Sequence, residues 1–526
     1  MSEEPGGLYE KVLRHAAGGT GMPPVRASAA VIPWRRRGNG IEVFWIRRAD
    51  SLPFMGGWHA FPGGGLSRSD ASIRVTGEPA GLGELPPAAG FPESLREEPG
   101  PDLLPGLLAC AIRELFEETG ILLAKPEAPE EDLAGAREES FQDLLARLGT
   151  VPDASRLVWA GRWVTPPFAP LRFDNRFFLL EWPESEPVQP SIIPGELEKG
   201  EWIDPAAAWE MWRRGDVLAA PPILHILDVL AHQGVDSGLG RLRDPSDTNL
   251  GPFRRIEMRP GVLMFPVATH TLPPAATTNV YLLGNGEAVL VDPGSHLDEE
   301  NERLERALAA ARERLGRRVV AIWLTHHHPD HIGGVERLRQ SLGVPVLAHA
   351  LTAERLAARG VRGMRVDGEL THGQRVVLAG EPSMTVMVLH TPGHARGHLC
   401  FLEEEQRSTL VGDLVAGLGT IVIDPPEGDM DDYLGSLAKL AMMRPGTLFP
   451  GHGPAILDGL AKLREYYEHR LWREAKVLEA WEEGLREPSA MLPKVYGDTP
   501  QQAWPLAERQ ILAHLARLRQ NGRIAE

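Results

Sequence analysis

The first part of the chain alternates apolar runs with polar turns. The runs ASAAVIPW and IEVFWIRR are rich in β-branched and aromatic residues, which predicts two strands. The apolar positions of LLACAIRELFEETGILLA recur at helical spacing and predict a helix, whereas RFFLLEW predicts another strand. Helix patterns at residues 201–233 close this part of the chain.

The pattern changes after residue 233. Residues 234–259 carry Gly, Pro, Asp and Ser without apolar periodicity, which predicts a linker. From Gly261 onward, short apolar runs alternate with turns and helices, and this predicts a strand-rich α/β domain at residues 260–458. The predicted strands lie in TNVYLLG, AVLVDPG, VVAIWLTH, VPVLAH, MTVMVLH, HLCFL and STLVGD.

Length and charge limit the functional classes. With 526 residues the chain is too long for one ordinary hydrophobic core, which predicts two or three domains. The formal net charge of -17 opposes broad binding to nucleic acid or anionic membranes. The two cysteines, Cys110 and Cys400, cannot form a disulfide framework, so we expect a reducing compartment. No apolar run approaches the roughly 18 residues of a membrane span, and we expect a cytoplasmic protein without a membrane partner.

The segment LTHHHPDHIGG, residues 324–334, places four histidines and one aspartate within six positions. It follows the apolar run VVAIWL, so a loop leaving a rigid strand can present several of these side chains at once. Neutral imidazoles and carboxylates are ligands for zinc. His326 and His328 can project to the same side of an extended segment, and Asp330 and His331 follow where the chain turns toward a helix. The spacing predicts two neighbouring metal sites.

Further motifs complete an ordered pattern: VDPG precedes this segment, and TPGH, GD and PGHG follow it. Because HHHPDH fits H-x-H-x-D-H, the whole pattern resembles the metallo-β-lactamase-fold hydrolases. The resemblance implies an αββα sandwich with a binuclear site at one sheet edge, holding two zinc ions, or manganese or iron. The first metal would be held by His326, His328 and His394, the second by Asp330, His331 and His452, and Asp413 would bridge them.

Other residues of these motifs have less direct roles. Asp292 of VDPG resembles the aspartate that orients ligands in this family. His327, His390 and His398 fall between ligand positions, and a direct role for each stays open. Two divalent cations about 3.5 to 4 Å apart lower the pKa of a shared water and polarise the oxygen of the electrophile, while Asp330 can steer the nucleophile. The implied reaction class is metal-assisted hydrolysis.

The ligand set does not determine the substrate, because this fold cleaves lactams, thioesters, lactones and phosphodiesters with nearly the same ligands. The run GDLVAGLGTIVIDPPEGDMDDYLGSLAKL, with PGHGP and YYEHRLWREAKVLEAW, is similar to endoribonucleases related to β-lactamase-like protein two. Residues 488–526 resemble the winged-helix-like tail of those enzymes, which makes RNA a candidate partner. Against RNA, residues 459–526 contain eleven Lys and Arg and ten Asp and Glu, which leaves no strong electrostatic footprint. The last helix carries a predicted packing stripe of Ile511, Leu512, Leu515 and Leu518.

The run RELFEETGI places Glu114, Glu117 and Glu118 on one face of the predicted helix. Three carboxylates this close repel one another unless a cation lies among them, and a solvated acidic face is the alternative. The run matches half of the Nudix box, R-E-U-x-E-E-x-G-U, and FPGG precedes it as in Nudix hydrolases. Residues 22–233 therefore resemble a Nudix domain, an α/β/α sandwich. The resemblance implies that the three glutamates bind Mg²⁺ or Mn²⁺ and act in catalysis, and that Arg113 holds the loop by hydrogen bonds.

The Nudix box is interrupted. Pro105 stands where the box has its leading glutamate, because residues from about 68 to 106 form an insertion. Much of this insertion is rich in Pro, Gly and Glu and predicts a loop. The run PFMGGWHAFPGGGLSRSDAS, the insertion and RFDNRFF together resemble the long-insert coenzyme A diphosphatases.

Three functions are compatible with these motifs. In the first, both domains are hydrolases: one cleaves a thioester, ester or phosphodiester, and the other cleaves a nucleoside diphosphate derivative. A coenzyme A thioester contains both kinds of bond. In the second, the metallo-β-lactamase-fold domain is a single-strand endoribonuclease. In the third, the Nudix domain binds a nucleotide as a sensor without catalysis. The motifs do not determine the oligomeric state.

Overall fold

The computed structural model describes residues 25–50, 52, 55–82, 103–133, 135–165, 172–193, 195–272, 275–358, 364–417 and 419–525. These residues divide into two compact units, residues 25–249 with 258–260 and residues 250–257 with 261–525. None of the helices in these ranges combines the length with the apolar character that a bilayer-spanning helix requires.

One mixed sheet forms the centre of the first unit. Its strand Val25–Arg37 pairs in parallel with Arg172–Glu181 and antiparallel with Gly40–Arg48 and Gly63–Gly65. The other strands of the unit are His59–Ala60, Leu157–Val164 and Leu197–Ile203 in this sheet, and Ala124–Lys125 with Val151–Pro152 in a small second sheet. The helices are Asp70–Ser72, Leu103–Thr119, Glu130–Leu133, Ala136–Glu138, Phe141–Leu148, Pro205–Arg213 and Pro221–Arg243.

Successive residues of the central strand face opposite sides of the sheet. Ala29 and Val31 pack in one core with residues of helices Leu103–Thr119 and Phe141–Leu148. Ala30 and Ile32 pack in a second core with residues of helices Pro205–Arg213 and Pro221–Arg243. The predicted α/β/α sandwich is therefore confirmed.

The helix predicted from LLACAIRELFEETGILLA is confirmed with shifted ends. It begins at Leu103, inside the predicted insertion, and ends at Thr119 because Gly120 adopts a φ of 79°. Residues 234–243 were expected in the linker but form the end of helix Pro221–Arg243, after a kink at Gly234. Leu242 is fully buried in the second core of this unit, and that packing stabilises the added helical turns. Between residues 244 and 260 lie the short helix Pro245–Thr248 and the short strands Asn249–Leu250, Phe253–Arg254 and Glu257–Arg259.

Two sheets pack face to face in the second unit. The first contains Val262–Ala268, Thr277–Leu283, Glu287–Val291, Arg318–Trp323, Val346–Ala348 and Gly368–Glu369, and the second contains Arg375–Leu378, Met384–His390, Leu399–Glu403, Thr409–Gly412 and Leu448–Pro450. The rings of Trp323 in the first sheet and Phe401 in the second have centroids 5.0 Å apart. Helices Asp298–Leu315 and Val335–Leu342 share a core with the first sheet, and Met430–Met442 shares one with the second. The predicted αββα sandwich is confirmed.

The remaining helices of this unit are short or lie in the C-terminal part. They are Pro329–Ile332, Ala350–Ala358, Gly459–Glu482, Pro488–Val495, Gln501–Ala503 and Trp504–Gln520. The three longest C-terminal helices share a core of their own, which contains Ile511, Leu515 and Leu518 of the predicted stripe. Leu512 is half-buried.

Strand direction in the first sheet brings two loops to one edge. Glu287–Val291 and Arg318–Trp323 run parallel, so Asp292 and the loop at residues 324–328 leave the sheet on the same side.

The second sheet does the same for three more loops. Met384–His390 and Thr409–Gly412 both pair antiparallel with Leu399–Glu403, and they therefore run in one direction. Leu448–Pro450 is parallel to Thr409–Gly412. The loops that carry His394, Asp413 and His452 consequently leave this sheet together.

Candidate metal centre

The first predicted ligand set converges. Nδ1 of His328 lies 3.1 Å from Nε2 of His326 and 2.9 Å from Nε2 of His394. One nitrogen from each of the three rings lies within 4.8 Å of the others. Oδ2 of Asp413 lies 3.5 Å from Nε2 of His394.

The second predicted set also converges. Ligand atoms of Asp330, His331 and His452 all lie within 4.8 Å of one another. Oδ1 of Asp413 lies 3.4 Å from Nε2 of His331 and 3.5 Å from Nε2 of His452. Because its two oxygens face different sets, Asp413 stands between them, in the position expected of a bridging ligand.

Hydrogen bonds on the far side of each ring select the tautomer. Nδ1 of His394 donates to the carbonyl of Val422 at 2.8 Å, and Nδ1 of His452 donates to that of Thr277 at 3.0 Å. With the proton on Nδ1, the Nε2 lone pair of each neutral imidazole points into the centre.

Asp292 selects the tautomer of two further rings. Its Oδ2 accepts from Nδ1 of His331 at 2.8 Å and from the Thr325 hydroxyl at 2.5 Å. Since the Thr325 proton is used in this way, its oxygen accepts from Nδ1 of His326, 2.9 Å away. Asp292 also accepts from the backbone N–H of Thr325 and has a φ of 51°, which is uncommon for a residue other than glycine.

Two polar atoms at the middle of the centre have no hydrogen-bond partner. His331 Nε2 and Asp413 Oδ1 are buried and make no hydrogen bond. Burial, together with the neighbouring imidazoles, lowers the pKa of His328 to about 2 and that of His326 well below its usual value, so both rings are neutral. The Nε2 lone pairs of His326 and His394 both face Nδ1 of His328, which carries at most one proton, whereas a cation among the three nitrogens could bind all of them. The residues therefore fit divalent metal ions.

In the second set, Asp413 raises the pKa of the histidines, whereas the pKa values of His326 and His328 in the first set are lowered. Burial alone would lower the pKa of His331 and His452, but the Asp413 carboxylate outweighs it and raises both. Burial alone would also raise the pKa of Asp413, yet His452 and His331 hold it well below its usual range. Negative charge at this position favours a cation among the three side chains. A Cβ on Gly451 would lie 2.7 Å from Asp413 Oδ1, so this glycine lets the backbone approach the centre.

The histidines whose roles stayed open lie around the two sets. Nε2 of the buried His398 accepts from the backbone N–H of Asp413 at 3.1 Å. His390 donates to the carbonyl of Arg396 and stacks on His349, with ring centroids 4.1 Å apart. His327 lies 3.8 Å from Glu427. In the described part of the chain, none of these three predicted positions joins a metal-binding group.

The Nudix-like glutamates are arranged differently. Nη1 of Arg113 donates to Glu114 and Glu117, at 2.8 Å each, and Glu118 accepts from the backbone N–H of Gly63 at 2.8 Å. Burial, and then the charge of Glu114, raises the pKa of Glu118 to about 8. Among the described residues, the three carboxylates do not converge within 4.8 Å as the histidine sets do.

Asp70 is a residue that the sequence analysis missed. It is fully buried and binds Arg113 through two hydrogen bonds of 2.7 and 2.9 Å. Pro105 has no carboxylate to offer, and Asp70, at the start of the insertion, binds the arginine of the box instead. The sequence signal for Asp70 was its spacing from Gly64, which is counted forward from the first half of the box and so does not cross the insertion. Arg113 also donates to the carbonyl of Gly65, as expected for a residue that holds this loop.

Comparisons with known proteins agree with this architecture. The model of the metallo-beta-lactamase superfamily matches residues 274–452, that of the NUDT19 Nudix domain residues 12–230, and that of the beta-lactamase associated winged helix domain residues 488–526. A beta-lactamase-like protein 2 homolog of Drosophila melanogaster is 29% identical over 268 residues, which cover 47% of this chain and 84% of the relative. The protein of the same name from Caenorhabditis elegans is 30% identical over 226 residues, which cover 42% of this chain and 72% of that relative.

A third relative carries the name of an activity. The atrochrysone carboxyl ACP thioesterase of Aspergillus chevalieri is 32% identical over 215 residues, which cover 40% of this chain and 62% of that protein. The chain therefore belongs to the metallo-β-lactamase superfamily, as a hydrolase that also carries a Nudix domain and a C-terminal winged helix domain.

Proposed function

We propose that this hydrolase cleaves the thioester bond of an acyl-coenzyme A, and that its Nudix domain cleaves the diphosphate of the same class of metabolite. The observation that carries the proposal is the pair of ligand sets that share Asp413. The metals proposed are two zinc ions among the histidines, because nitrogen ligands suit zinc, and Mg²⁺ or Mn²⁺ at the carboxylates of the Nudix domain.

The chain's own residues divide the work at the first centre. A pair of divalent cations, when bound, lowers the pKa of a water molecule and polarises the thioester carbonyl. Asp330 can accept a hydrogen bond from the attacking water and orient it, while His398 holds the backbone of Asp413 in place. No cysteine nucleophile is required, and burial raises the pKa of Cys400 to about 12, so this residue stays a thiol at neutral pH.

Two features support a coenzyme A thioester as the substrate. The Aspergillus relative is named as a thioesterase, and its similarity to this chain supports thioester cleavage as the reaction class. A coenzyme A thioester also contains the diphosphate that a Nudix domain would act on, so one metabolite offers a bond to each domain.

Kinetics of the full chain test the proposal. Thiol release and diphosphate cleavage are measured separately on a panel of acyl-coenzyme A substrates. Asp330→Asn should abolish thiol release and keep diphosphate cleavage, whereas Glu117→Gln should do the reverse. Glu299→Gln, which changes an exposed carboxylate of the second unit, serves as the control. Zinc-loaded protein that releases no thiol from any member of the panel would refute the proposal.

A second candidate is cleavage of single-stranded RNA, with the Nudix domain as a nucleotide sensor. Trp472 is 45% exposed, and Nζ of Lys476 lies 3.8 Å from the centroid of its ring, an arrangement that suits base stacking beside a phosphate. Arg113 already neutralises Glu114 and Glu117, which favours binding over catalysis in the Nudix domain. RNA cleavage that disappears in His326→Ala would favour this candidate. Intact RNA after incubation with metal-loaded protein would remove it.

A further inference from the structure

The segment after Asp413 takes part in the metal centre through its backbone. We call residues 414–417 and 419–424 the ligand loop. Within it, the carbonyl of Val422 accepts the hydrogen bond that turns Nε2 of His394 toward His328. None of these loop residues lies in a helix or a strand. Because no ladder holds the loop, its buried backbone groups need other partners.

Two tyrosines supply some of those partners. The Tyr433 hydroxyl donates to the carbonyl of Leu414 at 2.7 Å. The Tyr466 hydroxyl accepts from the backbone N–H of Ala416 at 3.3 Å and lies 3.2 Å from the carbonyl of Gly419. Tyr466 belongs to helix Gly459–Glu482, so the contacts of the loop extend into the C-terminal helices.

Arg470, one turn further along that helix, forms hydrogen bonds to the ligand loop on both sides of Val422, directly on one side and through Gln510 on the other. Arg470 is 2% exposed, and its Nη2 donates to the carbonyl of Ile421 at 2.5 Å. Nη1 donates at 2.9 Å to Gln510 of the last helix, and the Gln510 amide donates to the carbonyl of Ile423 at 3.3 Å.

The chemistry of this contact argues for more than packing. Burying a guanidinium is costly, and an apolar side chain could fill the same space without that penalty. A guanidinium offers several donors in a rigid fork, and here two of its branches serve the two carbonyls that flank Val422, one directly and one through Gln510. The Tyr433 ring, 5.4 Å from the guanidinium carbon, adds a favourable cation–π contact.

We propose that the C-terminal helices support the metal centre. In this proposal Arg470 is a positioning residue for His394, and it acts through Gln510 and the ligand loop. By holding the Val422 carbonyl in place, Arg470 sets the affinity of the His326, His328 and His394 site for its metal. This inference concerns metal binding and does not depend on the substrate, so it can fail or succeed independently of the proposed function.

Cobalt binding to two matched variants of the full chain tests the proposal. Arg470→Met removes the hydrogen bonds from this side chain to Ile421 and to Gln510. Arg473→Met is the control, because Arg473 is also buried on the same helix but bonds to Val495 and Asp498 within the C-terminal segment. Both are made in a Glu117→Gln background to reduce binding at the Nudix glutamates. Cobalt affinity is measured from its visible spectrum, and thermal unfolding is recorded in parallel.

We expect Arg470→Met to weaken one of the two cobalt sites roughly 10- to 100-fold, as is typical when a partner of a metal ligand is removed. Arg473→Met should lower the unfolding temperature without changing either affinity. Equal affinities in the two variants would overturn the proposal. Gln510→Met removes only the indirect contact to the carbonyl of Ile423, and it should weaken the same site to a smaller extent.

A measurement on the unaltered chain covers the case in which the variants do not fold. If the hydrogen bonds from Arg470 to the ligand loop strengthen metal binding, metal binding must also stabilise those hydrogen bonds. Removal of the metal should therefore increase amide hydrogen exchange at residues 419–424 and 466–470. Exchange at residues 488–495 should stay the same. Exchange in the ligand loop that is identical with and without metal would contradict the inference.

Discussion

A buried ion triad in the second unit predicts a pH-dependent stability. Nη2 of Arg317 donates to Oε1 of Glu257 at 2.5 Å, Arg255 binds the other oxygen, and the backbone N–H of Gly261 also donates to the carboxylate. Only 3% of the Glu257 side chain is exposed. Burial alone would raise the pKa of Glu257, but the two guanidinium groups outweigh it and lower the pKa to about 2.

The lowered pKa converts into a free energy of unfolding. A glutamate in the unfolded chain has a pKa of about 4.3, so the difference of roughly 2.3 units corresponds to about 3 kcal/mol. This stabilisation is fully present above the unfolded pKa and is lost as pH falls through the folded pKa. We therefore expect Glu257→Gln to destabilise the second unit by about 3 kcal/mol at pH 7 and by about half as much at pH 3. The loss at pH 7 agrees with the roughly 3–5 kcal/mol found when a buried ion pair is broken.

Denaturant unfolding of the full chain at both pH values measures this effect. The transition of the second unit is the one that zinc shifts to higher denaturant concentration. Glu287→Gln is the control, because Glu287 pairs with Arg318 at the surface, where an ion pair contributes less than about 1 kcal/mol. A loss in Glu257→Gln that is no larger than in the control, or that does not shrink at low pH, would refute the reasoning.

Three further changes test other contacts. Asp413→Asn should lower zinc binding below two equivalents, because it removes the charge that faces both ligand sets, and metal analysis after dialysis measures this. Gly451→Ala should weaken zinc binding, since its Cβ would lie 2.7 Å from the Asp413 carboxylate; unchanged zinc affinity would contradict the close approach. Asp70→Asn should destabilise the first unit by about 3 kcal/mol, because Arg113 loses a buried carboxylate, and calorimetry should detect a lower Tm.

The sequence alone determined much of the candidate metal centre. His326, His328, Asp330 and His331 lie within six positions, so their grouping depends on local backbone geometry rather than on long-range packing. The order of the later motifs then indicated the fold, and the two ligand sets converge as that fold implies. Their direct roles as ligands stay predictions.

Only the tertiary structure decided the partners of those ligands. The tautomers of His394 and His452 depend on backbone carbonyls of Val422 and Thr277, and every residue has a carbonyl, so residue types carry no signal for them. Asp70 reaches Arg113 across an insertion, so its spacing from Gly64 carries a signal but its spacing from Arg113 does not. Patterns along the chain report neighbours within a few residues, whereas these contacts form only when distant segments pack together.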